Sequence, residues 1–150
     1  MALLERGTLA PDFTVKTTTG DTVTLSELRG KKNVVLYFYP EDDTPGCTVE
    51  ACAFRDDRPK YDAAETVIWG VSLDNEEAHQ RFTEKFHLNF PLLADTDGKI
   101  CAAYGVEIKG HWPHRITYLI GKDGKILHTY GKVAVQVHSR ELLELIGAIG

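Results

Sequence analysis

The sequence is poor in sulfur and has no long hydrophobic segment. Its 150 residues include only three cysteines and one methionine. Three cysteines are too few for a disulfide scaffold. The longest apolar runs, such as VVLYFY, are far shorter than the roughly 18 residues of a membrane span. Charged residues near the start argue against a signal peptide. We therefore expect a cytoplasmic protein with no membrane partner.

Basic residues are also few. Lysine and arginine total 17 against 22 acidic residues, for a net charge of −5. This balance argues against a basic patch for nucleic acid. Hydrophobic residues make up 43% of the chain, which is enough for a real core. Because there is no internal repeat, low-complexity tract or linker-like stretch, residues 1–150 are expected to form a single domain.

Short apolar segments alternate with helical patterns along the chain. The predicted elements are a hairpin around Gly20, strands at 33–40, 66–73 and 90–95, helices at 47–64, 74–88 and 98–105, strands at 115–121 and 125–133 joined by an Asp-Gly turn, and a helix at 140–149 capped by Ser139. Strands that alternate with helices indicate an α/β fold, and the late hairpin adds antiparallel strands to the sheet. Functional groups in such sheets collect at the carboxyl ends of the strands.

The segment after the first buried strand places a thiol at the start of a helix. Thr44 is the predicted cap and Pro45 the first helical residue, while Pro59 is expected to kink the helix or end its first part. Cys47 then lies in the first turn. The unpaired backbone N–H groups and the helix dipole at that position favour a thiolate anion.

Nearby acidic residues oppose that anion. Glu50 and the acidic run 41–43, which we expect to be a solvated loop, are close in sequence and favour the protonated thiol. A cation is therefore required. Arg115, at the start of a late strand, is the best candidate. Arg55 and Arg58 are alternatives, but they lie two or three turns into the helix.

The second cysteine has an unusual spacing. Cys47 and Cys52 are five positions apart, so their Cα atoms would be about 8.7 Å apart in a regular helix. A disulfide needs roughly 7 Å or less. The two thiols could join only if the helix start unwound, which suits a transient bond. The spacing also differs from the Cys-x2-Cys of thioredoxins and most zinc sites.

The segment YFYPEDDTPGCTVEAC resembles the active site of a peroxiredoxin. Pro40, Thr44 and Cys47 fit the Pro-x3-Thr-x2-Cys motif of that family, and Cys52 has the spacing of the peroxiredoxin Q, or bacterioferritin comigratory protein, group. The resemblance extends to GTLAPDFTV, VIWGVSLDN, FPLLADTDGKICAAYGV and HRITYLIGKDGKI. It implies a thioredoxin-like fold, with a central mixed β-sheet flanked by helices and an N-terminal β-hairpin.

The resemblance also implies roles for individual residues. Cys47 would be the peroxidatic cysteine, and the Thr44 hydroxyl would hydrogen-bond the peroxide and the sulfur. Pro40 would shield the pocket from water. Arg115 matches the distant arginine of the family, and Glu50 would hold it in place.

The implied reaction is thiol-dependent reduction of hydrogen peroxide and organic hydroperoxides. The peroxidatic thiolate becomes a sulfenic acid, which Cys52 resolves as an intramolecular disulfide. Thioredoxin or a similar dithiol protein would recycle it. The cysteine pair would be the redox centre, with no metal, flavin or haem. The resemblance to the peroxiredoxin Q group also implies a monomer.

Other interpretations stay open at this stage. The chain could be a general protein disulfide oxidoreductase or a non-catalytic thiol protein, such as a redox sensor. Cys101 is interpreted as a helix-packing residue, with a second resolving thiol as the alternative. The six histidines show no ligand pairing with a cysteine or carboxylate and are interpreted as surface or packing residues.

Overall fold

The computed structural model describes residues 2–149. In chain order the elements are β1 (Thr14–Lys16), β2 (Thr22–Thr24), a 3-10 helix (Leu25–Leu28), β3 (Asn33–Phe38), α1 (Pro45–Ala63), β4 (Thr66–Ser72), α2 (Glu76–Phe86), β5 (Leu92–Ala94), α3 (Lys99–Ala103), β6 (Ile108–Lys109), β7 (Trp112–Pro113), β8 (Ile116–Ile120), β9 (Ile126–Tyr130) and α4 (His138–Ile149). None of the helices in this part of the chain has the length and apolar character to cross a membrane.

A mixed five-stranded sheet lies at the centre, in the order β5-β4-β3-β8-β9. The central strand β3 runs parallel to β4 and antiparallel to β8. The other pairs are β4 with β5, parallel, and β8 with β9, antiparallel. The strands β1 and β2 form a separate antiparallel hairpin near the amino terminus. This arrangement has the central mixed sheet and the N-terminal hairpin predicted from the sequence.

Both faces of the sheet are covered, which explains the nearly continuous apolar run of β3. Val35 and Tyr37 point into a core cluster shared with α1, α2 and α4. Leu36 and Phe38 point to the opposite cluster, which includes α3 and is partly covered by the N-terminal hairpin. Gly70 in β4 is required by this packing, because a Cβ atom there would lie 2.7 Å from the hydroxyl oxygen of Tyr37.

Several helix signals are confirmed and others are wrong. Thr44 occupies the N-cap position of α1 and Pro45 is its first residue, as predicted, although the Thr44 side chain makes no capping hydrogen bond. For α2 the capping side chain is that of Asn75, which accepts a hydrogen bond from the backbone N–H of Ala78. The predicted cap Ser139 lies inside α4 instead.

Pro59 does not end a helix segment. It lies inside α1, which continues to Ala63. Proline lacks the N–H that would bond the carbonyl four residues earlier, which is that of Arg55. That carbonyl accepts a hydrogen bond from Asn89 Nδ2 at 3.1 Å. A tertiary contact thus replaces the missing helical bond, which explains why α1 continues past the proline.

Candidate active site

Cys47 lies in the first turn of α1, beyond the carboxyl end of β3, and is 1% exposed. Residues 39–44 join these two elements. Because the first N–H groups of a helix have no internal partners, the sulfur occupies a position that favours negative charge.

Arg115 reaches this sulfur from the residue before β8. Its Nη2 atom donates to Cys47 Sγ at 3.4 Å, and its Nη1 atom donates to Glu50 Oε1 at 2.7 Å. Burial alone would lower the pKa of Arg115, but the charges of Glu50 and Cys47 outweigh it and the net shift is upward. The guanidinium therefore stays charged between the thiol and the carboxylate. The structure brings together all three of these predicted site residues.

Glu50 is almost completely buried, at 1% exposed. Burial raises the pKa of Glu50 to about 7, although the adjacent Arg115 acts in the opposite direction. Its second carboxylate oxygen has no hydrogen-bond partner within residues 2–149. The carboxylate thus orients Arg115 through one oxygen, and it is held in its charged form only by that cation.

Gly46 is a site residue that sequence reasoning missed. A Cβ atom at this position would lie 3.1 Å from Arg115 Nη2, closer than an ordinary van der Waals contact. The absence of a side chain at Gly46 lets the guanidinium pass over the helix start and reach Cys47. Glycine is unfavourable in a helix, so its presence in the first turn of α1 was the sequence feature that could have indicated this role.

Thr44 and Pro40 lie on either side of the loop before the thiol. The Thr44 hydroxyl donates to the carbonyl of Glu41 at 2.9 Å, which leaves its oxygen able to accept a bond. Pro40 lines a groove of about 570 Å³ together with Trp112, Pro113 and Arg115. A larger cleft, of about 760 Å³, lies along β1 and α3 and is not lined by any cysteine. The groove shares Pro40 and Arg115 with the thiol site.

Cys52 follows Cys47 along the same continuous helix and is partly exposed. Both thiols are free. Five helical positions separate their Cα atoms by about 8.7 Å, beyond the reach of a disulfide. The intact helix therefore keeps the two sulfurs apart.

Comparisons with known proteins decide the family. The model of the AhpC/TSA family matches residues 6–129. The chain belongs to the AhpC/TSA family. It is 42% identical over 150 residues to peroxiredoxin Bcp of Bacillus subtilis, with 95% of each protein covered.

Two solved structures agree with this assignment. Peroxidoxin BcpB from Mycobacterium tuberculosis has a TM-score of 0.91 at 32% identity, over 98% of this chain and 99% of that one. The bacterioferritin comigratory protein of Xanthomonas campestris, described for its alkyl peroxide reduction activity, has a TM-score of 0.88 at 31% identity, over 99% of both chains. This chain is thus a peroxiredoxin of the Bcp/Q group, with a thioredoxin-like fold. The predictions of fold, family and thiol-dependent peroxidase are confirmed.

Cys101 lies in α3, which packs against the face of the peroxiredoxin sheet opposite to α1. It is 0% exposed, and its backbone N–H donates to Asp95 Oδ2 at 3.0 Å. Burial and then the Asp95 carboxylate raise the pKa of the Cys101 thiol far above its usual range. These contacts support the packing role that the sequence indicated.

The acidic run before the thiol is not simply a solvated loop. The side chain of Asp42 is 5% exposed and lies 2.6 Å from Nδ1 of His79, which is 0% exposed. The prediction that no histidine pairs with a carboxylate is therefore wrong. The two residues are 37 positions apart, so sequence spacing contained no signal for the pair.

One group of side chains within residues 2–149 has donor atoms close enough to hold a metal ion, and it consists of Asp42, Asp74 and His79. The atoms that would bind a metal already hydrogen-bond to one another, to hydroxyl groups or to the backbone. Both nitrogens of His79 are engaged, the second by the carbonyl of Leu93 at 3.0 Å. Asp74 Oδ2 accepts from Ser72 Oγ and from the backbone N–H of Asp42. The group fits a hydrogen-bonded network better than a metal site.

Proposed function

We propose that this peroxiredoxin reduces hydrogen peroxide and organic hydroperoxides with Cys47 as the peroxidatic residue. The observation that carries the proposal is the contact between Arg115 and the Cys47 sulfur at a helix N-terminus. The alkyl peroxide reduction described for the Xanthomonas campestris relative supports organic hydroperoxides as substrates.

In the first step the Cys47 thiolate attacks the terminal oxygen of the peroxide. A sulfur–oxygen bond forms, the oxygen–oxygen bond breaks, and the leaving oxygen takes a proton to depart as water or an alcohol. Sulfur loses two electrons and becomes a sulfenic acid. Arg115 and the first N–H groups of α1 would stabilise the charge that develops on the oxygens, while Thr44 orients the peroxide.

Pro40 and Glu50 have supporting roles in this proposal. Pro40 covers one side of the pocket, at the rim of the groove that contains Arg115, and limits the access of water. Glu50 fixes the guanidinium by a 2.7 Å ion pair. Excluding water strengthens the interaction between the guanidinium and the reacting oxygens.

In the second step the first turns of α1 unwind and Cys52 resolves the sulfenic acid. The Cys52 sulfur attacks the Cys47 sulfur, a disulfide forms, and the sulfenic oxygen leaves as water. Two thiols of an external dithiol protein, thioredoxin by our proposal, then reduce the disulfide. The partial exposure of Cys52 and the glycine in the first turn support local opening of this segment.

We also propose that the protein acts in the cytoplasm as a monomer built from one domain. The large exposed hydrophobic side chains within residues 2–149 are few and lie in different segments of the chain: Leu9, Val49, Trp112 and Ile149. Scattered apolar residues of this kind are ordinary on a monomer surface. Light scattering at micromolar concentration tests the oligomeric state.

The decisive experiment is peroxide consumption with thioredoxin and its reductase as the electron source. Cys47→Ser should abolish turnover, and Cys52→Ser should let the sulfenic acid persist and prevent the intramolecular disulfide. Cys101→Ser is the matched control and should keep both peroxide turnover and the intramolecular disulfide. Full turnover by Cys47→Ser, or loss of the disulfide in Cys101→Ser alone, would contradict the assignment.

A further inference from the structure

We propose that Asp42 and His79 form a buried ion pair that positions the active-site loop, residues 40–44, and thereby sets the balance between the two steps of the cycle. The inference rests on the proposed function, because it assigns these residues an effect on peroxide attack and on disulfide formation. Neither residue was identified from the sequence as part of the site.

The hydrogen bonds define the charge of the pair. His79 Nε2 lies 3.0 Å from the carbonyl oxygen of Leu93, which can only accept, so Nε2 carries a proton. Asp42 Oδ1 accepts a bond from the Tyr39 hydroxyl at 2.5 Å, as a carboxylate does. Asp42 Oδ2 is 2.6 Å from His79 Nδ1. One proton therefore lies between Nδ1 and Asp42 Oδ2, and we assign it to the ring, which makes the pair an imidazolium and a carboxylate.

Burial makes the two charges dependent on each other. The side chains of His79 and Asp42 are 0% and 5% exposed, and either charge alone would be costly to bury. The neighbouring elements add one more charged group, Asp74 at the end of β4, whose carboxylate accepts the backbone N–H of Asp42 at 2.9 Å. The Asp74 carboxylate also accepts a hydrogen bond from the Ser72 hydroxyl. Asp42 is thus anchored by both its side chain and its backbone.

The pair links the active-site loop to α2. Asp42 lies midway between Pro40 and Thr44, and its partner His79 belongs to α2, which is held in turn to the carbonyl of Leu93 in β5. The adjacent Asp43 has a positive φ of 58°, a conformation that few residues other than glycine adopt readily. An anchor at Asp42 holds the loop in this geometry.

The pair also removes an electrostatic obstacle. A lone carboxylate near the thiol would oppose the thiolate. Because His79 balances the charge of Asp42, this carboxylate opposes the thiolate less than an unpaired carboxylate would. The sequence alone left this acidic residue without a counterion.

The two steps of the cycle require opposite behaviour from this anchor. Peroxide attack needs the closed loop, with Thr44 and Pro40 in place beside Cys47. Disulfide formation needs the adjacent helix start to open. Weakening the pair should therefore slow the first step and accelerate the second. A change that only destabilised the fold would not slow peroxide attack and accelerate disulfide formation at the same time.

Asp42→Asn is the informative variant. An asparagine can accept from Tyr39 and donate to the Nδ1 atom of a neutral His79, so the hydrogen bonds survive and only the charges are lost. Asp57→Asn is the matched control, because Asp57 lies on α1, outside the loop, and its carboxylate likewise accepts from a hydroxyl, that of Ser139. Stopped-flow measurement resolves peroxide reaction and disulfide formation separately.

For Asp42→Asn we expect the rate constant with peroxide to fall about tenfold and that of disulfide formation to rise several-fold, since charge-assisted hydrogen bonds are about twice as strong as neutral ones. Asp57→Asn should leave both within about twofold. Equal behaviour of the two variants, or a slowing of both steps in Asp42→Asn, would overturn the proposal.

Nitrogen NMR of the wild-type imidazole rings provides a test that does not depend on any variant folding. At neutral pH both ring nitrogens of His79 should give protonated-type resonances. A neutral ring would overturn the ion pair even in a fully active enzyme. Lack of peroxide turnover by the wild type would instead contradict the proposed function, so the two failures are distinguishable.

Discussion

Arg115 Nη2 lies 3.4 Å from Cys47 Sγ, although 68 positions separate the two residues in the chain. The same guanidinium binds Glu50 through Nη1, so a planar side chain with several donors serves two acceptors at once. A lysine has a single nitrogen at its end and cannot reproduce this geometry. This contact is the centre of the proposed site and gives the first prediction.

Arg115→Lys should lower the rate constant for peroxide reduction by about 100-fold, the effect of removing one preorganised donor from a charged transition state. Stopped-flow kinetics with hydrogen peroxide measures it. Arg55→Lys is the control, because Arg55 lies on α1 but donates to the carbonyl of Phe86. Equal rates for Arg115→Lys and the wild type would remove Arg115 from the site.

Gly46→Ala should separate stability from activity. The new Cβ atom would lie 3.1 Å from Arg115 Nη2 and displace the guanidinium, so the peroxide rate should fall. Alanine in a helix is favoured over glycine by roughly 0.5–1 kcal/mol, so the free energy of unfolding should not decrease. The control is Gly147→Ala in α4, where a Cβ atom meets nothing within 4 Å. It should raise stability without changing activity.

Glu50 predicts a pH dependence of stability. Its pKa in the folded protein is raised to about 7, from an ordinary value of 4.5, so the folded state binds the proton more tightly. Its contribution is fully present below pH 4.5 and is lost as the pH rises through about 7. Glu50→Gln should remove this decline, which is of the order of a few kcal/mol.

Urea unfolding at pH 5 and pH 8 measures the Glu50 effect. Glu144→Gln, at an exposed position of α4, is the control and should keep the wild-type pH profile. If Glu50→Gln and the wild type lost stability equally over this range, the buried carboxyl would not be the source.

The lowered pKa of His138 predicts that the stability of the fold decreases as the pH falls. Burial, with a smaller effect of the Arg115 charge, lowers the pKa of His138 from 6.5 to about 4. Its contribution to stability is present above pH 6.5 and is lost as the pH falls through about 4. His138→Gln should reduce this loss, since an amide nitrogen can still reach Thr117, which His138 Nε2 contacts at 2.8 Å. Thermal unfolding between pH 7 and pH 4 measures it, with exposed His128→Gln as control.

Cys101 should be unreactive in the folded reduced protein. Its burial and its pKa, raised by desolvation and by Asp95, keep the thiol protonated and shielded. An alkylating reagent followed by mass spectrometry should modify Cys101 only after denaturation and Cys52 before it. Labelling of Cys101 at the rate of Cys52 in the native state would contradict this packing role.

Much of the site could be predicted from local sequence. The apolar run of β3 and the Thr44-Pro45 pair located the start of α1, and hence the position of Cys47. Those signals depend on neighbours along the chain, through side-chain periodicity and the backbone preferences of proline and capping residues. The Cys47–Cys52 spacing likewise follows from helix geometry alone.

Other features depended on contacts between distant segments. The partner of Asp42 is on α2, and the carbonyl freed by Pro59 is satisfied by Asn89. Neither pairing has a local signature. The role of Gly46 became visible only when Arg115 was found against it.

By itself the sequence determined the strands of the central sheet and the four α-helices, where the reactive thiol lies, and that the second thiol cannot reach it in an intact helix. Only the tertiary structure decided which charges meet. The reason is physical: local backbone preferences act over a few residues, whereas the pairing of buried charges depends on the topology of the sheet and the packing of helices on its faces.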